Sequence, residues 1–346
     1  MQAINSRHFE PWLAQENISL AVSTYTAGKL MLIGRKSSGG VGLFERTFNR
    51  CMGLWADEQK LFAGTAFQIW RFENVLERGA GDGDYDRLLV PRTGHVTGDI
   101  DLHDLAWSGD RLWFIATLFS SLATLSERAS FRPEWQPAFI TKLAAEDRCH
   151  LNGLALVDGK PRFVTAVAAC DSASAWREHR TDGGVVMDID SNETVVGGLS
   201  MPHSPRWHDG RLWLLDSGSG RLGYVDGDRF EPVAFLPGYA RGLAFTGDYA
   251  IVGCSRPRHE PTFAGLPLEQ ELGRRNASAM CGVFVVRLST GDVEHWLEFS
   301  DPIHELYDVA VLPGCRRPRA LGFKTDEIRY TVNIEGNPTV WKGKSG

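Results

Sequence analysis

Three histidines sit at matching points of a repeated frame, and with the polar residues around them they are the side chains most able to do chemistry. His103 lies in Leu102-His103-Asp104-Leu-Ala-Trp107-Ser-Gly-Asp-Arg-Leu112-Trp113, and His203 lies in Pro202-His203-Ser204-Pro-Arg-Trp207-His-Asp-Gly-Arg-Leu212-Trp213. Halfway between them, His150-Leu-Asn152-Gly153-Leu154-Ala155 repeats the frame with Asn152 in the histidine position. Imidazoles brought together from separate strands suit Zn, Fe, Cu or Ni, whereas Ca prefers oxygen donors. The expected shell of a divalent metal is therefore His103, His150 and His203, completed by Asn152 or Glu305. Asp101 and Glu305 are the candidate bases. Arg241 would hold an anionic substrate, and Tyr307 could donate a hydrogen bond. A water of lowered pKa on such a metal could attack an ester or lactone, or the metal could take part in oxygen or lyase chemistry. The competing reading is a non-catalytic protein that binds a small molecule or peptide in a water-filled channel.

The frame that positions these residues recurs along the chain. Its anchors are Gly53, Asp104, Gly153, Ser204, Gly242 and Asp308, spaced 51, 49, 51, 38 and 66 residues apart. After each comes a short apolar strand, a Gly- or Asp-containing turn and a second strand, as in Arg211-Leu-Trp-Leu-Leu-Asp216. Four strands with their turns fill about 40–50 residues, the period of a β-propeller blade. The expected fold is therefore all-β, a propeller of six blades (seven are possible), spanning residues 1–346 as one domain. Residues 18–48 read as the outer strands of a blade whose first strand comes from Leu306–Val311, so both termini close the ring. Two surplus strands are expected at Arg319–Lys324 and Ile328–Val332, and short helices at Glu10–Glu16 and Pro267–Arg275. An insertion of about 257–280 interrupts the fifth unit and could be a lid or a loop.

The first strand of a blade is innermost, so residues entering it from successive blades converge on the axis. One ring is Met52, His103, Asn152, His203, Arg241 and Tyr307. Two positions earlier lie Arg50, Asp101, His150, Met201, Tyr239 and Glu305, placed on the same face by strand alternation. So many buried polar groups require partners.

The Asn152-Gly-Leu-Ala and Leu-Trp-Leu-Leu-Asp216-Ser-Gly218-Ser-Gly220-Arg-Leu segments resemble the six-bladed gluconolactonase and strictosidine-synthase-like propellers. That resemblance implies a cation site in which Asn152 matches the metal-binding Asn. His203 replaces the acidic ligand, and His103 takes the substrate-facing place. The phrases Asp147-Arg-Cys-His-Leu-Asn-Gly-Leu-Ala155, Met201-Pro-His-Ser-Pro-Arg-Trp-His-Asp-Gly210 and Gly322-Phe-Lys-Thr-Asp-Glu-Ile328 are similar to a bacterial propeller family of unknown function, over nearly the whole chain.

Composition narrows the remaining classes. Thirty-seven basic and 43 acidic residues give a net charge of −6, which disfavours a nucleic-acid partner. No apolar run is long enough to span a membrane, and the N-terminus lacks a secretion signal, so a cytoplasmic protein is expected. The six cysteines show no paired spacing, and Cys149 beside His150 is the one of chemical interest. Asp82-Gly-Asp84-Tyr-Asp86 begins like a calcium loop but lacks its distal glutamate, and reads as a solvated turn.

Overall fold

The computed structural model describes residues 2–257, 264–337 and 339–343. Six antiparallel sheets follow one another around an axis. The inner strands of blades I to VI are Leu54–Ala56, Leu102–Ser108, Leu151–Val157, Pro202–His208, Tyr239–Thr246 and Val309–Pro313. Each touches the next, and Val309–Pro313 touches Leu54–Ala56, so the ring closes at six blades. Blade VI is built from both termini: Val309–Pro313 pairs with Ile18–Thr24, followed outward by Lys29–Arg35 and Val41–Thr47. The alternating apolar strands predicted by the turn spacing become the packed faces between blades, such as Leu20, Met31 and Ile33 against Ile251, Val283 and Val285.

The periodicity is finer than one blade. Asp308 of blade VI accepts the amide of Leu54 in blade I at 2.7 Å, and Asp104 of blade II accepts that of Leu154 in blade III at 3.0 Å. Ser204 of blade IV accepts that of Gly242 in blade V at 3.0 Å. A second latch has the same phase: Ser23, Thr117 and Ser217 donate to the carbonyls of Met52, Leu151 and Ala240. Polar anchors thus belong to even blades and glycine anchors to odd blades. The glycines are required where the blades meet: a Cβ on Gly153 would lie 2.2 Å from Pro205, and one on Gly242 would lie 2.6 Å from the Val309 nitrogen. The 100-residue repeat in the sequence is therefore a two-blade unit.

Arg206 joins these units at the centre. Its guanidinium grips Asp104 through two bonds of 2.7 and 3.0 Å, lies 3.9 Å from Asp308, and donates to the carbonyls of Leu154 and Leu243. One side chain of blade IV thereby contacts blades II, III, V and VI.

The ends differ in detail from the strand pattern. Pro318–Ala320 is a short fifth strand, parallel to the outer strand of blade I, and Glu327–Tyr330 is helical ahead of a hairpin of Thr331–Asn333 with Val340–Lys342. The Asp82–Asp86 turn is no solvated turn. Asp86 accepts the amides of Arg316 and Arg317, Asp84 pairs with both guanidinium groups, and Asp82 pairs with Arg319 and Lys342. These carboxylates clasp the C-terminal segment to blade I, and the signal lay 230 residues away in a run of arginines. The expected helices appear as Phe9–Gln15 and Pro267–Arg274. The latter belongs to the insertion, where Leu266, Leu268 and Leu272 pack on Trp176, Met201 and Tyr239; residues 258–263 of the insertion lie outside the described residues. Among the described residues no helix is long and apolar enough to cross a membrane.

Candidate functional site

The loops entering the inner strands reverse sharply before the strand begins. Arg50, Asp101, His150 and Met201 hold φ of 47°, 50°, 51° and 48°, a left-handed conformation repeated at equivalent points of four blades. Non-glycine residues rarely adopt it, so four equivalent instances mark a feature the fold imposes. Convergence thus comes from a turn rather than from simple strand alternation. It brings members of both predicted rings to one cavity of about 180 Å³ at the axis, whose wall includes Asp101, His103, His150, His203, Arg241 and Tyr307 but not Arg50, Met52, Asn152 or Glu305.

The three imidazoles are held differently. His103 Nδ1 lies 2.9 Å from the Asp101 carbonyl, and His203 Nδ1 lies 2.8 Å from the Met201 carbonyl. A carbonyl only accepts, so each Nδ1 carries the proton and each Nε2 carries the lone pair. His203 is then satisfied on its other side. Thr165 donates to Asn152 Oδ1 at 2.7 Å, which turns the Asn152 amide nitrogen toward His203 Nε2 at 3.4 Å. His150 donates from Nδ1 to Asp147 at 2.9 Å, and the same carboxylate accepts the Trp176 indole N–H at 2.8 Å. The His150 ring lies against Trp176 with centroids 4.1 Å apart, and meets His103 edge-on at 4.7 Å.

Burial, then the Arg241 charge and His150, holds the His103 pKa well below the ordinary imidazole range, so this ring is neutral. Burial pushes the Asp101 carboxyl up. Asp147 is also desolvated, but His150 and the two hydrogen bonds outweigh burial and keep it below the usual carboxylate value. Arg241 lies 3.9 Å above the Tyr307 ring, and among the described residues no carboxylate is within ion-pair distance of it.

Several expectations need correction. Glu305 is buried away from the cavity wall, and its carboxylate accepts the amides of Tyr25 and Thr26. Asn152 backs His203 instead of facing the cavity. Lone-pair Nε2 atoms are the right donors for Zn, Fe or Cu, but His203 is turned to Asn152 and lies 6.4 Å from His103, ring to ring. Among the described residues no group of three or more His, Cys, Asp or Glu side chains could hold a metal ion. The arrangement as it stands does not fit the expected four-residue shell. Cys149 is fully buried, and burial pushes its thiol up to about 12, so it is no nucleophile.

The sequence reading missed Asp147, Trp176, Arg177 and Tyr25. Asp147 could have been found from its spacing, since it precedes His150 by three residues and also has a left-handed φ of 44°. Trp176 and Arg177 come from a short 3₁₀ turn, Ala175–His179, that carries no repeat signal.

A comparison with curated proteins finds no match. Among solved structures, a chain of a nidogen–laminin complex is similar with a TM-score of 0.55 and 10% identity, covering 86% of this chain and 99% of that one. Virginiamycin B lyase of Staphylococcus aureus, as a catalytically inactive variant with quinupristin, has a TM-score of 0.39 at 10% identity and the same coverage. A protein of Bacteroides uniformis described as a 6-phosphogluconolactonase has 0.44 at 12% identity, covering 82% of this chain and 83% of that one. The first likeness is one of fold alone, and the other two carry no argument. A family profile described as a domain of unknown function matches residues 7–321, and the chain belongs to that family, DUF4915.

Proposed function

We propose that this propeller is an enzyme that transfers protons on a small anionic molecule at the ring axis, by hydrolysis of an ester or lactone or by elimination. The observation that carries this reading is one cavity holding a carboxylate-backed imidazole, a neutral imidazole and an arginine unpaired by any described carboxylate. In this reading His150 Nε2 is the general base. Asp147 stabilises the imidazolium through Nδ1 as the proton arrives, and the hydrogen bond from Trp176 fixes that carboxylate. His103 presents an Nε2 lone pair that can receive a hydrogen bond from the substrate or from attacking water. Arg241 stabilises negative charge on the substrate and the charge that grows on it in the transition state. Asp101, raised by burial and on the same cavity wall, is the candidate proton donor. No step is routed through a metal.

The test is a turnover screen of small anionic esters, lactones and β-substituted carboxylates with wild type, His150→Ala and Asp147→Asn. Metal analysis is done on the same preparation. Turnover that falls by about 10²–10⁴-fold in His150→Ala supports the assignment. Saturable binding with no turnover of any compound favours the non-catalytic propeller. Stoichiometric Zn, Fe or Cu that His103→Ala removes would overturn the metal-free route.

A further inference from the structure

Resting on the proposed axial site, we infer that its ligand is a small planar oxyanion, a carboxylate of about ten or fewer non-hydrogen atoms, whose charged end docks on the Arg241 guanidinium in the cavity wall. Size is the first constraint. Sites for drug-sized ligands occupy about 300–1,000 Å³, and this cavity has about 180 Å³. A cavity of this size favours a small molecule over a nucleotide or an extended peptide.

The second constraint is how Arg241 is held. Its guanidinium carbon lies over the Tyr307 ring, 3.9 Å from the ring centroid. The ring holds one side of the guanidinium, and among the described residues no carboxylate is within ion-pair distance of its N–H groups. Two parallel N–H donors match the two oxygens of a carboxylate, or of a phosphate, far better than a lone carbonyl. Tyr307 in turn stacks on Tyr25 at 5.9 Å, so the platform beneath the guanidinium is itself fixed. The third constraint is what faces the rest of the molecule. The Trp176 and Tyr239 rings offer apolar surface, and neutral His103 offers an acceptor, so the body of the ligand carries a hydroxyl or other donor and no second strong charge near that ring.

The test measures binding, independent of turnover, by Trp176-reported fluorescence and calorimetry. The probes are benzoate, glutarate, inorganic phosphate and the neutral analogue benzamide. The proteins are wild type, Arg241→Met, which keeps bulk over Tyr307 and removes charge, and Trp176→Phe, which identifies the reporting indole. The inference expects saturable binding of at least one carboxylate, weakened tenfold or more in Arg241→Met, with benzamide at least tenfold weaker in wild type. Tighter binding of phosphate than of both carboxylates would reassign the oxyanion to a phosphate and overturn the carboxylate. Equal binding of benzamide and benzoate, carboxylate affinity unchanged in Arg241→Met, or no binding of any anion would also overturn it. Acid binding without turnover would sink the enzymatic reading and leave this inference standing. Turnover confined to neutral lactones would overturn this inference and the anionic part of the proposed function, and would leave only the proton-transfer role of His150.

Discussion

Replacing Arg206 by methionine should destabilise the ring, and more at high pH than at low. Arg206 is the cation nearest two buried carboxylates, Asp104 and Asp308, each about 3% exposed. Burial, relieved in part by Arg206 and worsened by Asp104, already pushes Asp308 up to about 7. Methionine preserves the apolar stem but leaves both carboxylates without their counter-charge. Breaking a buried pair by removing one partner costs about 3–5 kcal/mol. With about 2 cal/mol/K of unfolding entropy per residue, a chain of this length should lose roughly 4–7 °C of Tm. The sign with pH follows from the raised carboxyl. In the folded state Asp308 binds its proton more tightly than in the unfolded chain, so stability it favours is fully present at acid pH and is lost as pH rises through its folded value. Removing Arg206 widens that window, because the positive charge that holds the Asp308 pKa down is gone. Each additional proton held only by the folded state steepens the slope by about 1.4 kcal/mol per pH unit. Urea unfolding of wild type and Arg206→Met at pH 5.5 and pH 8 measures both effects, and adding Asp308→Asn to the variant should recover part of the loss at pH 8. A loss below about 1 kcal/mol at pH 8, or an equal loss at both pH values, would refute the reasoning.

Gly153→Ala places a methyl group 2.2 Å from Pro205 and 2.4 Å from Thr165 Oγ1. It should cost about 1–3 kcal/mol by overpacking, measured by urea unfolding, and should shift the His203 ring resonances through Thr165 and Asn152. His103 should stay neutral at pH 6 in a ¹⁵N titration, and Arg241→Met should raise its pKa because one source of positive charge is gone. Replacing Asp82, Asp84 and Asp86 together by asparagine should free the C-terminal clasp; limited proteolysis should then cut after residue 315 faster than in wild type, and unchanged cleavage would mean the strand pairing alone holds the tail.

The sequence by itself determined the ring. Apolar runs of strand length, turns at a period near 50 and a first strand displaced to the C-terminus leave few architectures that bury every sheet face, and the structure closes at six blades as the anchors imply. It also pointed to residues near the axis, because equivalent positions in a cyclic repeat converge: His103, His150, His203, Asp101, Arg241 and Tyr307 share one cavity, whereas the in-phase Asn152 and Glu305 are not on its wall. Only the tertiary structure decided what each does there. A hydrogen bond is set by contacts across blades, and no spacing in the chain encodes it. His103 and His203 occupy equivalent positions with the same Nδ1 bond, yet Thr165 and Asn152 turn a donor to His203 while His103 keeps its lone pair beside Arg241. Glu305, polar and in phase, is taken by two backbone amides. Asp147 and Trp176, outside both predicted rings, supply the hydrogen bonds that hold His150, since burial beside an imidazole determines a carboxylate's surroundings more than its place in a repeat.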